Sequence, residues 1–524
     1  MAACGRKPAA APAGSEGGTL IVATPGDADN LLPPVTSTQL GAQISDRLFP
    51  RLAELKSDLN TVDDAGFTPL IAQRWEHTDA TTIVFHLDPR ARWQDGTPLR
   101  ADDVVYTFDV YRDTLTGSGF RANLDQVASV TRNDSLTVTF TFRRAYPEQV
   151  YDATYHLRIL PKHLLDSIPH ERLVSSAFAR DPVGAGPFRF VHWEPGAEIS
   201  LEADTTWFAG RAHLSRIVWR IMPDVSAAVS AMLAGEADAM ELIPLRDEID
   251  RVAKSAELRL MPYASPFLGG LLFNTLRPPF DDRDVRRAIS MGIGRATIVR
   301  AVFGAYGEVP VGAASRMMWI SQGEVRQPAN DTAAAARLLD ARGWLPATDG
   351  IRRRNGRRLT FTVLTPTTSR VRQEFAVHLQ NQLKRLGVDM QIQPLEFAVF
   401  DQRGRTHDFD ALMFSRTLDP SPADLIKFWG NAPGNENFGG YHSAAFDSLY
   451  AAAAAAPTHD AALPIWHRAL EQITDDAPAV FLYSPRNNAA VHRRFENVSI
   501  RPDSWLAAVT AWSVAADRRL PRDR

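Results

Sequence analysis

Hydrophobic and polar positions alternate in some stretches of this chain and recur every three to four residues in others. Ile83, Phe85 and Leu87 alternate with polar neighbours, as do Leu136, Val138, Phe140 and Phe142. That period of two predicts half-buried strands over 82–87 and 135–142. Leu20-Ile21-Val22-Ala23 is a short apolar run and predicts a first strand. After the turn-rich stretch 27–34, residues 36–48 place Ile44 and Leu48 on one helical face. Leu99-Arg100-Ala101-Asp102-Asp103 opens a helix through Val104, Val105, Phe108 and Tyr111, and its acidic first turn suits the positive end of the helix dipole. Strands follow over 188–192, 198–202 and 216–222. Asp224 then caps a helix carrying Ala228, Met232 and Leu233, and Gly235 ends it.

The pattern changes after mid-chain. Residues 284–303, 331–339 and 370–386 have helical period, with strands predicted over 359–364 and 388–392. Such alternation is what α/β layers require. The alanine run 451–456 predicts helix. There is no tandem repeat and no single linker-like stretch, so the change of pattern implies domains built from discontinuous segments.

Composition narrows the class. The chain has 524 residues, 45% hydrophobic and 23% charged, with a formal net charge of −3. That is ordinary for a globular protein of two or three domains, and it supplies no field favouring nucleic acid or an anionic membrane. No run reaches the ~20 apolar residues of a transmembrane helix. The single cysteine, Cys4, closes Met1-Ala2-Ala3-Cys4 ahead of a Pro/Ala/Gly-rich stretch. A cysteine-free body suits an oxidising compartment and excludes cysteine-based metal sites. Small residues before a cysteine, followed by a flexible tether, resemble a bacterial lipoprotein cleavage box. In that reading Cys4 is the acylated first residue of the mature protein. The 13 histidines are scattered without ligand-pair spacing, so no metal site and no cofactor are expected.

The most diagnostic stretch joins Leu70-Ile71-Ala72-Gln73-Arg74-Trp75-Glu76, then Thr82–Leu87, then Trp93-Gln94-Asp95-Gly96-Thr97-Pro98-Leu99-Arg100-Ala101-Asp102-Asp103-Val104. Physically it is a strand, a tight Asp-Gly turn and a capped helix. It resembles the signature of family 5 extracellular solute-binding proteins, the oligopeptide-, dipeptide- and nickel-binding proteins of ABC importers. In chain order, Val183-Gly184-Ala185-Gly186-Pro187-Phe188, Leu201-Glu202-Ala203-Asp204-Thr205-Thr206-Trp207-Phe208, Met232-Leu233-Ala234-Gly235-Glu236-Ala237-Asp238 and Leu272-Phe273-Asn274-Thr275 continue the resemblance. Pro279-Phe280-Asp281-Asp282, Val285-Arg286-Arg287-Ala288-Ile289, the stretch 333–344, Phe409-Asp410-Ala411 and Asp476-Ala477-Pro478-Ala479-Val480-Phe481-Leu482-Tyr483 complete it.

The resemblance implies an α/β, periplasmic-binding-protein-like two-lobed fold with an extra inserted domain (class II, three domains). After a tether at 1–18, domain I would comprise 19–49, 185–265 and 485–524, domain II 50–184 and domain III 266–484. It implies a binder that captures a peptide by hinge closure and delivers it to the permease subunits of an ABC importer. Such a protein would act in the periplasm or at the cell surface, as a monomer, touching the membrane through a lipid anchor only and no nucleic acid. The family holds peptides by strand addition and meets the ligand's ammonium with an aspartate. In Phe414-Ser415-Arg416-Thr417-Leu418-Asp419-Pro420, two alignments stay open. Either Asp419 is that aspartate, or Asp419 belongs to a downstream Asp-Pro pair and Arg416 takes the amine site, where it would prefer a carboxylate or phosphate. Asn274, Asn437, Tyr441 and Asn30 are further ligand-binding candidates, each with a structural alternative. Trp75, Trp93, Trp193, Trp207, Trp219 and Trp344 fall at family structural positions and read as core.

Other function classes have weaker support. A binder of a nickel chelate, a sugar or an anionic metabolite is kept open by Arg416. A hydrolase lacks a nucleophile elbow or phosphate loop, and its possible acid pairs, Asp102-Asp103, Asp281-Asp282 and Asp475-Asp476, read as caps at turns or helix starts. A sensor would need an extra signalling segment, for which the length leaves no room. Arg352-Arg353-Arg354-Asn355-Gly356-Arg357-Arg358 reads as a charged hairpin that could attract anions.

Overall fold

A computed structural model describes residues 17–323, 325, 327–430 and 436–523. Cys4 and the stretch after it lie outside the described residues. The chain divides into two compact units. The first holds the residues up to Ser57, Phe67–Tyr263 and those from Asn488 on, and the second holds Asp58–Gly66 and Ala264–Asn487. The segments expected for domains I and II fall together in the first unit, apart from 58–66. The expected boundaries at 265/266 and 484/485 stand at 263/264 and 487/488.

In the first unit, Thr19–Thr24 is the pivot of a mixed sheet. It pairs in parallel with Arg216–Ile221 on one side and with Ala239–Met240 on the other. Beyond Arg216–Ile221 lie Glu198–Ala203 and Phe188–Glu194, both antiparallel. A separate antiparallel sheet runs in the order Ala72–Asp79, Thr82–Leu87, Thr137–Phe142, Val127–Arg132. Its two central strands bury every second residue, as their alternation predicts.

The signature motifs prove to be scaffolding. Asp103 caps the helix Ala101–Arg112 by accepting from the Arg100 N–H at 2.8 Å. The same carboxylate takes the Trp93 indole N–H at 3.3 Å and the Lys162 N–H at 2.9 Å. Gln94 accepts from the Gly184 N–H at 3.0 Å and donates to the Phe188 carbonyl at 2.8 Å, tying two motifs together across some 90 residues. Gly184 and Gly186 lie against the last carbonyls of the helix Gln39–Leu48. The Ala185 and Gly186 N–H groups donate to Leu48 at 2.9 and 2.8 Å. A Cβ at Gly186 would sit 2.3 Å from the Arg47 carbonyl oxygen, and one at Gly184 would sit 2.3 Å from that of Leu48. No side chain larger than hydrogen fits that approach.

The second unit is a sheet in the order Asp389–Leu395, Thr360–Pro366, Ala411–Thr417, Phe267–Phe273, followed by the first residues of Ala479–His492. Alternate residues enter two different apolar clusters. Leu271, Phe273, Val363, Met413 and Val480 join helices on one face, while Leu272, Leu364, Leu412, Phe414 and Phe481 join those on the other. A sheet covered on both faces needs apolar residues in both phases, which is why these strands read as continuous hydrophobic runs.

Several expectations are corrected. The helical stretch 284–303 is two helices, Arg283–Met291 and Arg295–Phe303, interrupted at Gly292-Ile293-Gly294. Asp282 does cap the first of these, accepting from the Asp284 N–H at 2.9 Å. Asp475 and Asp476 instead close the helix His459–Asp476, where the dipole disfavours them. Arg283 offsets this, 2.6 Å from Asp475 and 3.1 Å from Asp476. Trp93, Trp219 and Trp344 are buried, but Trp75, Trp193 and Trp207 are only partly so. In the arginine hairpin, Asn355 and Gly356 both take positive φ, as the tight turn requires. Arg353 and Arg358 share Asp349, at 2.9 and 2.6 Å. Arg352 is buried rather than solvated, and donates to the carbonyls of Trp344 and Leu386 at 2.7 and 2.8 Å.

A buried ionic cluster fixes the start of the strand Ala239–Met240, which pairs on both sides within the first unit's sheet. Asp238 is fully buried and accepts from the Ile21 N–H at 2.9 Å, from Arg494 at 3.0 and 3.1 Å and from Arg522 at 2.7 Å. Arg494 also reaches the Thr19 carbonyl at 2.8 Å and pairs with Asp523. This explains the aspartate of the Gly-Glu-x-Asp motif. Asp238→Ala leaves a strand amide unmatched and a buried guanidinium short of one of its two carboxylates, so the unfolding free energy is expected to fall by roughly 3 kcal/mol. A chemical denaturation midpoint unchanged from the parent protein would remove the cluster from that role.

Candidate functional site

The first unit contains a cavity of about 430 Å³, inside the usual range for small-molecule sites. It lies at the carboxyl ends of parallel strands, where α/β sheets place ligands. Three segments converge there: the loop 24–27 after Thr19–Thr24, the head of the helix Gln39–Leu48, and residues 240–244 after Ala239–Met240. Val225, first residue of the helix Val225–Leu233, completes the wall. Helix heads gather here because each follows a strand running in the same direction. Thr38 caps one, accepting from the Gly41 N–H at 3.2 Å, and Asp224 caps the other, accepting from the Ala227 N–H at 2.7 Å.

The lining is apolar at Val22, Leu40 and Met240, all buried, and Leu242 exposes 36% of its surface. The charged lining residues are two acids, Asp27 and Glu241. Asp27 is committed to the fold. It accepts from the Trp193 indole N–H at 3.1 Å and the Gly196 N–H at 2.7 Å. Glu241 differs. Gln39 donates to its Oε2 at 2.8 Å, and Gln43, one helical turn on, donates to the same oxygen. The Tyr263 hydroxyl also favours its ionised form. Among the described residues no cation pairs with it. Burial therefore outweighs these hydrogen bonds and raises its pKa to about 7.

The residues nominated from sequence lie elsewhere. Asn30 is buried and closes a turn, accepting from the Leu32 N–H at 2.9 Å. Asn274 is fully buried. It donates to the His407 and Phe409 carbonyls, both at 2.9 Å, and accepts from the Leu276 N–H at 3.0 Å. Asn437 donates to the Tyr441 carbonyl at 2.6 Å and accepts from its N–H at 3.1 Å. The Tyr441 hydroxyl donates to Asp476 at 2.7 Å. These last three knit one loop region of the second unit. Arg416 pairs with Glu436 and lies 4.6 and 4.7 Å from the ring centres of Phe428 and Phe438. Burial lowers its pKa against the pull of Glu436. Asp419 accepts from the Ser421 N–H at 3.1 Å, closing the Asp-Pro turn. None of these six side chains lines the first unit's cavity.

Glu241, Gln39 and Gln43 escaped the sequence reading. The available signal was weak: an acid directly after a buried run, Ala237-Asp238-Ala239-Met240. Only the pairing of Val22 with Ala239 brings Glu241 to glutamines some 200 residues earlier. Because the folded state holds the Glu241 proton more tightly than the unfolded chain, stability falls as pH rises from about 4.5 to about 7, then levels off. Glu241→Gln is accordingly expected to stabilise the protein by about 1–3 kcal/mol at pH 8 and by nothing at pH 4. Thermal melts of both proteins across that range check it; a gain independent of pH would reject the assignment.

Among the described residues no group of three or more His, Cys, Asp or Glu is placed to hold a metal, and no helix is long and apolar enough to cross a membrane. Comparison with known proteins gives a consistent family. Residues 66–436 match the model of the bacterial extracellular solute-binding proteins, family 5. The oligopeptide-binding protein AppA of Bacillus subtilis is 28% identical over 432 residues, covering 81% of this chain and 79% of AppA. The structure of that protein in complex with a nonapeptide superposes with a TM-score of 0.74 at 25% identity, covering 96% of this chain and all of that one. NikZ from Campylobacter jejuni, in complex with Ni(L-His), has the same fold, with a TM-score of 0.73 at 20% identity, covering 94% of this chain and 99% of that one. The α/β, periplasmic-binding-protein-like architecture read from the motifs is thus the fold of this protein, and the chain belongs to family 5 of the bacterial extracellular solute-binding proteins.

Proposed function

We propose that this chain is the solute-binding component of an ABC importer and that its ligands are peptides, passed unaltered to the permease subunits. The observation that carries this reading is the identity with an oligopeptide-binding protein across four-fifths of both chains. The cavity supports it in kind. Apolar walls at Val22, Leu40 and Met240 suit side chains, while Gln39, Gln43 and Glu241 offer donors and acceptors of the sort that main-chain amides need. Binding without chemistry is supported by the fate of the acid pairs. Asp103 and Asp282 cap helices, and Asp476 receives Tyr441 and Gln472. Cys4, as the acylated residue, anchors the protein outside the cell, where it acts as a monomer.

Native mass spectrometry of the purified protein is expected to show a ladder of bound peptide masses. A single non-peptide adduct, with no uptake from a mixed peptide library, would overturn the peptide reading. In its native cell the protein is expected in the membrane fraction, and Cys4→Ser is expected to release it. An unchanged distribution would remove Cys4 as the anchor.

A further inference from the structure

Two acids flanking the strand Ala239–Met240 of the first unit, Asp238 buried and Glu241 partly so, are treated in opposite ways. Asp238 is matched by Arg494 and Arg522. Glu241, three residues on, is met among the described residues by neutral donors alone, although it lines a cavity large enough for a ligand group. The groups that face it are Gln39 and Gln43 from the helix Gln39–Leu48 and Tyr263 from the strand Leu258–Ala264. Asp27 lines the same cavity from the loop after the first strand and adds a second negative charge, while the head of the helix Val225–Leu233 contributes the apolar Val225. Among the described residues, the surroundings therefore supply no positive charge to balance the carboxylate. Gln39 and Gln43 also fix the carboxyl group, because both amides end on Oε2. An anionic ligand group would face two acids here. A neutral one would leave Glu241 uncompensated. A cation would convert the costliest feature of the cavity into a short-range attraction at low local dielectric.

We propose that this cavity is a charge-selective subsite, in which Glu241 receives an ammonium or guanidinium group of the ligand. The inference rests on the peptide-binding reading and deepens it: the substrates are cationic peptides. The shared chemistry has two sources, a basic side chain or the peptide's own amino terminus. Binding is also proton-linked. A cation binds the ionised carboxylate, so acid competes with it through a group that titrates near pH 7.

The test uses the full chain and alanine-based hexapeptides, with calorimetry at pH 6 and pH 8. One peptide is acetylated and amidated at its ends and carries a central lysine. The second has norleucine in place of that lysine. The third is the norleucine peptide with a free amino terminus. At pH 8 at least one cationic peptide is expected to bind about tenfold more tightly than the blocked norleucine peptide, and which one does so identifies the source of the charge. That preference should shrink about tenfold at pH 6, the acid side of the titration. Glu241→Gln, which is expected to fold at least as well as the parent, should bind all three alike at both pH values. Equal binding of the three peptides by the parent protein at pH 8, or an undiminished preference in Glu241→Gln, overturns the subsite while leaving peptide binding intact. Failure of every peptide to bind removes the peptide reading itself, and the subsite with it.

Discussion

The geometry of the first unit depends on one buried carboxylate. Asp238 has no exposed surface, yet it binds a main-chain amide of the first strand and two guanidinium groups from the C-terminal region. Its own N–H donates to the Ile21 carbonyl at 2.7 Å. These bonds set the register in which Val22 faces Ala239. A slip of one residue would strand the charge and turn each side chain of the short strand to the wrong face. Glu241 follows at the end of that strand, so the structural acid determines where the cavity's acid stands.

The two acids illustrate how environment, rather than residue type, assigns roles. Asp238 is paired with two guanidinium groups as part of the frame. Glu241 has two amide donors and, among the described residues, no cation, and burial pulls it toward the neutral acid. In the second unit, Arg416 is also desolvated, but Glu436 and two aromatic rings surround it and complete its coordination. A charge whose partners are all supplied by the protein is a poor receptor for a ligand. One left with neutral partners beside a cavity retains unused binding energy.

The family's motifs are recognisable for reasons unrelated to ligand chemistry. Trp93, Gln94 and Asp103 tie a turn, a helix head and a distant loop to one another. Gly184 and Gly186 are demanded by carbonyl oxygens that a Cβ would strike. Such constraints tolerate little substitution. The groups that meet solute have no such obligation, because the frame closes without them. Family membership is therefore far easier to read than ligand identity.

Local pattern alone determined most elements of this protein. Strand Thr82–Leu87, helix Ala101–Arg112 with its acidic cap, and the Asn355-Gly356 hairpin follow from periodicity and turn chemistry, which act between near neighbours. The break at Gly292–Gly294 within an apparently continuous helix, and the placement of Asp475 and Asp476 at a helix end beside Arg283, were not legible. Both are settled by packing and by pairing with residues far along the chain. The same holds for the site. Asn274, Asn437 and Tyr441 stand out in the sequence because they hold loops together, whereas Glu241 looks ordinary until the first strand carries Gln39 and Gln43 to it. Sequence determined the fold because hydrophobic period and backbone sterics are local. Only the tertiary structure decided which acid is met by guanidinium groups and which by neutral amides, because desolvation and charge pairing depend on everything within a few ångströms, whatever its distance in sequence.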